Sequence, residues 1–466
     1  MNSTRFEKDL LGELEIPADA YWGIHTHRAV RNFPLSGRTV NVGLIRAYAL
    51  VKKACCRANA ELGYLDAERA RAVEQACDEV AGGVLDGQFP VDALQGGAGT
   101  STNMNLNEVL ANRAIEILEG RRGDYALVHP LEHVNLHQST NDTYPTAVKI
   151  AGIFGLRGLS RGAADLQGAF QEKEKAFGAI VKVGRTELQE AVPMTLGAEF
   201  AAFAEAISRD RWRTFKGEER LRVVNLGGTA VGTGLAAPRD YIFLVIEKLR
   251  EATGMGLSRG ENLTGETAFA DPLVEVSGIL KAHAANLVKI AGDLRLLNLL
   301  GEIRLPDLQA GSSIMPGKVN PVLAEAAIQA GLKVFANDAI VSDALSRGTG
   351  QISEFLPLAA DAFLESLDLL EKADTLLAGH VRGVEADEEA CRRAFDRSPM
   401  LVTALVPHLG YERATELIRE YRELERQGLS ESRTMRTFLE EKLGKEMIDR
   451  ILSPWSLTAL GYRKEK

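Results

Sequence analysis

The stretch DPLVEVSGILKAHAANLVKIAGDLRLLNLL (271–300) constrains the fold more than any other part of this chain. Its apolar residues recur every three or four positions, the helical spacing, without a break. They recur so often that more than one face of the helix must be covered, as in the middle of a bundle. The same spacing marks 43–62, 65–83, 105–119, 145–176, 198–222 and 239–253, and two more long stretches, 321–345 and 354–384. Strand signals are sparse. From 385 onward the amphipathic segments shorten, charges multiply, and the chain ends in the tail GYRKEK. This texture predicts an all-α protein with a central block of long helices between two smaller helical domains. Boundaries near 140 and 390 give domains 1–140, 141–390 and 391–466. A length of 466 residues exceeds what one core usually fills, which agrees with that division.

Several function classes drop out on charge and hydropathy. The net charge of −9 comes from acidic residues spread along the chain, and no basic run offers the phosphate-neutralising patch of a nucleic-acid binder. No run of about 18 apolar residues suggests a membrane span. The opening MNSTRFEKDLLGELEIP has no apolar core of signal-peptide type. The four cysteines, Cys55, Cys56, Cys77 and Cys391, lack C-x-x-C spacing and form no disulfide framework, so a reducing cytoplasm is the expected location.

Four segments break the helical texture: GGAGTSTNMNLNE (96–108), HVNLHQSTNDTYPT (133–146), GRTELQEAVPMTLG (184–197) and GSSIMPGKVNP (311–321). Each gathers Ser, Thr, Asn or Gln with Gly or Pro beside a helix. Capping explains a small hydroxyl or amide at any one helix start. Four such islands carry more donors than capping uses, and together they describe a site that binds anions through hydroxyls, amides and backbone N–H groups. His133 and His137 are an i,i+4 pair, but HVNLH has no acidic or cysteine partner beside it, so a metal site is not expected there.

Over nearly its full length the chain resembles the aspartase/fumarase superfamily. GSSIMPGKVNP corresponds to the superfamily's signature loop, and QSTNDTYPT, GRTELQEAVPMTLG and VNLGGTAVGTG (224–234) follow in its order and spacing. The opening DLLGELEIPADAYWGIHTHRAVRNF, together with HQSTND and EAVPMTLG, is more similar to aspartases than to fumarases or argininosuccinate lyases. The resemblance implies a homotetramer with a twenty-helix core and shared active sites. It implies cofactor-independent anti β-elimination on a small amino-acid or dicarboxylate substrate.

Such a reaction removes a proton beside a carboxylate and then expels a group from the neighbouring carbon. The aci-carboxylate between these steps carries a double negative charge, which preorganised donors stabilise without any metal or organic cofactor. By resemblance Ser312 is the general base, acting as its oxyanion. Backbone N–H groups of the glycine-rich loop and the Lys318 charge would lower its pKa, and the glycines would let the loop close over substrate. Lys318 and Asn320 would hold one carboxylate, and Thr100, Ser139 and Thr140 the other. Asn141 and Thr186 would meet the leaving group, with Glu325 and His133 one step behind.

Three departures from the family pattern bear on the substrate. Glu187 follows GRT where relatives usually carry His or Gln. A carboxylate there repels a substrate carboxylate and favours a cationic leaving group, so it argues for an ammonium or substituted amine over water. With Glu325 close by, one of the two carboxyls would stay protonated and serve as acid; the plainer reading pairs Glu187 with a local Arg or Lys. LRLLNLLGEIRLP (294–306) lacks the usual Ser-Gly-Pro-Arg segment, and GTGQISEFLPL (348–358) replaces a usual Asn-Val. The leading expectation is an aspartase-like carbon–nitrogen lyase. An ergothionase-like lyase expelling trimethylamine, a fumarase-like hydratase and an inactive crystallin-like structural protein are the alternatives.

Overall fold

The computed structural model describes residues 4–428 and 433–462, so the last four residues of the tail GYRKEK lie outside the described part. The chain begins with an antiparallel hairpin, β1 (Thr4–Asp9) and β2 (Gly12–Pro17). Helices α1 (Ile24–Asn32), α2 (Val42–Glu61), α3 (Ala67–Ala81) and α4 (Thr100–Ile117) follow. Next come α5 (Thr140–Ala176), a second hairpin of β3 (Val181–Thr186) and β4 (Gln189–Thr195), and α6 (Leu196–Leu221). Then α7 (Arg239–Thr253), the short α8 (Leu263–Ala268) and three long helices follow: α9 (Asp271–Leu299), α10 (Val322–Ser346) and α11 (Leu356–Arg382). The chain closes with α12 (Glu388–Arg397), α13 (Val406–Leu409), α14 (Tyr411–Arg426), α15 (Met435–Leu443), α16 (Lys445–Ile451) and α17 (Pro454–Thr458).

The fold is thus helical, and the strands pair only two by two. The nine helical stretches expected from apolar spacing each appear, with ends that shift by a few residues and most at the start of α4 and α5. There the islands 96–108 and 133–146 supply the first helical turns, which spacing alone does not reveal. Two hairpins escape the sequence reading. TRFEKD and GELEIP alternate only weakly, and β4 carries Pro193, a residue that normally argues against a strand.

The described residues form two compact units. Of these, the first comprises 4–160, 212–284 and 332–371, and the second 161–211, 285–331 and the described residues from 372 onward. In the first, α2 buries Leu44, Tyr48, Val51, Cys55 and Ala58 at helical spacing, and Asn41 caps it by accepting the N–H groups of Gly43 and Leu44. In the second, the helices after residue 388 enclose Phe395, Leu405, Leu417, Tyr421, Phe438 and Ile448, and Val183 of β3 joins that core. Buried ions fix the hairpin's base: Lys182 meets Glu199 and Glu302, and Arg185 meets Glu302 as well.

Candidate active site

Two of the four islands, 96–108 and 133–146, come together in the first unit with the segment 224–234. Ser139 opens α5 as a cap: its Oγ accepts the Asn141 N–H, while Asp142 Oδ1 accepts the Ser139 N–H. The other carboxylate oxygen of Asp142 accepts the N–H groups of Gly227 and Thr229 at 3.0 and 3.1 Å. One buried acid therefore ties the helix start to the 224–234 loop, and burial pushes its carboxyl up to about 6. Pro145 lies inside α5 and cannot donate to the carbonyl four residues back. The Asn225 amide fills that gap, donating to the Asn141 carbonyl at 2.9 Å. Gly99 precedes α4 at φ 94°, and a Cβ there would sit 2.5 Å from the Tyr144 ring, so the turn that delivers Thr100 requires glycine.

These constraints bring Thr100, Asn103, Gln138, Ser139, Thr140 and Thr229 to the wall of one open cavity of about 460 Å³. It is rich in hydroxyls and amides. Asn141 points elsewhere: its Nδ2 donates to the Ala230 carbonyl at 2.7 Å, and it lines a smaller cavity with Ile352 and Ser353. The departure at 348–358 therefore shares a cavity wall with the residue assigned by resemblance to the leaving group. His133 sits in a π-helical turn, Pro130–Val134, where its Nδ1 accepts the His129 N–H at 2.8 Å and burial lowers its pKa. His137 Nδ1 lies 2.7 Å from Asn59 Oδ1. Among the described residues no group of three or more His, Cys, Asp or Glu is arranged to hold a metal.

The second unit carries the remaining candidates. Ser312 Oγ accepts two backbone N–H groups, from Ile314 at 3.1 Å and Met315 at 2.9 Å. The loop closes through Gly311 N–H to the Lys318 carbonyl at 2.7 Å and Asn320 Nδ2 to the Gly311 carbonyl at 2.9 Å. A Cβ at position 311 would lie 2.8 Å from that Lys318 carbonyl, so glycine is needed where the two ends of the loop meet. Lys318 is exposed. Thr186 and Glu187 occupy the tip of the β3–β4 hairpin, where Glu187 and Leu188 take φ of 53° and 61°. Two successive left-handed residues make the primed turn that a two-residue hairpin connection favours, normally a place for Asn-Gly. The Glu187 carboxylate is exposed and makes no ion pair among the described residues. Glu325, in the first turn of α10, lies 3.8 Å from Arg295. No hydrogen bond or ion pair among the described residues links the hairpin tip to the Ser312 loop.

A second layer behind the cavity is absent from the sequence reading. Lys52, 1% exposed, donates to Asn135 Oδ1 at 3.0 Å and Gln138 Oε1 at 2.8 Å, and its ammonium lies 5.4 Å from the Tyr48 ring centre. Burial lowers its pKa to about 8. The signal that reveals it is a lysine one turn after Tyr48 on the buried stripe of α2.

The family described as lyase matches residues 12–336. An aspartate ammonia-lyase of Bacillus sp is 41% identical over 99% of both chains. A class II fumarate hydratase of Thermosynechococcus vestitus is 43% identical over 90% of this chain and 91% of its own. A fumarate lyase:delta crystallin structure from Brucella melitensis superposes with a TM-score of 0.90 at 45% identity, covering 97% of this chain and 99% of that one. The chain thus belongs to a family of lyases. More narrowly, the chain is a member of the aspartase/fumarase superfamily.

Proposed function

We propose that the protein is a carbon–nitrogen lyase that removes ammonia or a substituted amine from an amino acid by anti β-elimination, leaving an α,β-unsaturated carboxylate. The observation that carries this reading is the bed of Ser312. Two backbone N–H groups aimed at one hydroxyl oxygen favour its charged form, because bonds to an anion are the stronger ones. The Ser312 oxyanion takes the proton beside the substrate carboxylate, and the electron pair moves into the aci-carboxylate. That pair then forms the double bond as the carbon–nitrogen bond breaks and the amine departs with its electrons. Lys318 and Asn320 hold the carboxylate that receives charge; Thr100, Ser139 and Thr140 hold the other, and Asn141 and Thr186 meet the nitrogen. Glu187, exposed and without an ion pair among the described residues, faces a cationic leaving group more favourably than a neutral one.

The working form we propose is a homotetramer of three-domain protomers, 1–140, 141–390 and 391–466, in which association completes each site with groups from more than one copy. Trp212, Phe215, Leu299, Leu332 and Leu376 support it, since each is more than half exposed on a long helix. The four cysteines, all free and buried, fit a reducing compartment. The test is a panel of L-aspartate, L-malate and histidine betaines, following unsaturated-acid absorbance and amine release together. Equal amounts of amine and unsaturated acid from an amino acid are expected. Product from malate alone makes the leaving group water, and no product from any of them removes the lyase reading.

A further inference from the structure

We propose that Lys52 is a positioning residue that sets the direction of the hydrogen bonds reaching Thr140, leaving the Thr140 hydroxyl proton for a substrate carboxylate. The inference rests on the cavity of Thr100, Ser139 and Thr140 being a carboxylate site. An ammonium has donors and no acceptor, so whatever faces it must be oxygen. Lys52 makes no ion pair among the described residues and faces two amide oxygens, Asn135 Oδ1 and Gln138 Oε1. The orientation of Asn135 is therefore forced. Its Oδ1 also receives Asn103 Nδ2 at 3.2 Å and Asn107 Nδ2 at 3.1 Å, so the nitrogen end of Asn103 must face it. With that orientation Asn103 Oδ1 faces the Tyr48 hydroxyl at 2.8 Å, which also lies 2.7 Å from Thr143 Oγ1.

The second hydrogen of Asn103 Nδ2 then goes to Thr140 Oγ1, at 3.1 Å. Thr140 accepts that bond, and its own proton is donated to no group among the described residues. Thr140 lines the cavity and is 8% exposed. Lys52 and Asn103 thus both donate to Asn135 Oδ1, Asn103 donates onward to the Thr140 hydroxyl, and a carboxylate in the cavity is the acceptor that completes the network. A buried ammonium hydrogen-bonded to neutral amides and without an ion pair is costly to keep, and this directional role explains what the group does there.

A double-mutant cycle tests the assignment, with kcat/KM on the amino-acid substrate and succinate binding by calorimetry as parallel readouts. Thr140→Val in the wild-type background removes one bond to a charged group and is expected to cost about ten- to hundredfold. Lys52→Met is expected to cost a similar factor, and Thr140→Val added to it less than about threefold more, because the hydroxyl is no longer aimed. Where Lys52→Met fails to fold, the near-isosteric Asn103→Asp carries the test. It turns the last donor into an acceptor and should likewise blunt the effect of Thr140→Val. Losses that multiply independently, or normal kinetics in Lys52→Met, overturn the proposal. A wild-type protein that binds succinate with the same non-additivity but turns over no substrate refutes the lyase reading and keeps the wiring. One that does neither refutes both.

Discussion

Ser312, Glu187 and Lys52 are three residues whose surroundings fix what each can do, and each makes a measurable claim. Ser312→Ala should lower turnover by about 10²–10⁴, the usual loss on removing a general base, while thermal stability stays near that of the wild type. Near-normal activity would take Ser312 out of the mechanism. Glu187→Gln keeps the shape and removes the charge. A cationic nitrogen in a closed pocket should lose roughly 1–3 kcal/mol, about a 5- to 150-fold drop in kcat/KM on the amine substrate. Full activity would leave Glu187 a structural part of the turn. Lys52 makes a claim about pH. Its pKa falls from 10.5 unfolded to about 8 folded through burial, so between these values the unfolded chain binds more protons and stability rises with pH. The titratable groups facing it are Cys55 on its own helix, Cys77 and Asp142, with the Tyr48 ring below. Lys52→Met loses that rise, so its deficit against the wild type should widen by about 1–3 kcal/mol from pH 7.5 to 10 in urea titrations. A constant deficit would show that burial does not lower the lysine's pKa in the folded state.

At the scale of an element, the start of α5 is held by a replacement for a missing helix bond. Asn225→Ala should leave the Asn141 carbonyl without its donor and cost about 1–3 kcal/mol in denaturant unfolding. Adding Pro145→Ala restores a backbone N–H at the right place and should recover part of the loss. No recovery would mean that the Asn225 amide matters for its bond to Thr267 instead. The helices were legible in the sequence because apolar spacing is a local signal that burial then obeys. The β3–β4 hairpin was not, since Glu187-Leu188 lacks the glycine or asparagine that marks such turns and buried ions at its base set the geometry from a distance. The glycine-rich loop announced its backbone donors through Gly311 and Gly317. Asn103, Asn135 and Lys52 stayed hidden because their direction depends on partners far along the chain, 32 residues away from Asn103 to Asn135 and 83 from Lys52 to Asn135.

For the whole molecule, α9 buries Leu273, Val276, Leu280, Leu287, Ile290 and Leu294 along one stripe, while Val274, Ile279 and Leu296 on its other faces stay only partly covered. A helix so apolar needs a further neighbour, and sedimentation at micromolar concentration should report a tetramer; a monomer would rule the assembly out. The four cysteines carry a different consequence. Burial pushes Cys55, Cys56 and Cys391 up to about 12 and raises Cys77 as well, so the nucleophilic thiolate is scarce in the native state. Cys55, Cys56 and Cys77 belong to the first unit and Cys391 to the second. The chain therefore contains its own pair of clocks. Timed alkylation followed by peptide mass mapping would record the opening of each unit separately, without a single engineered label.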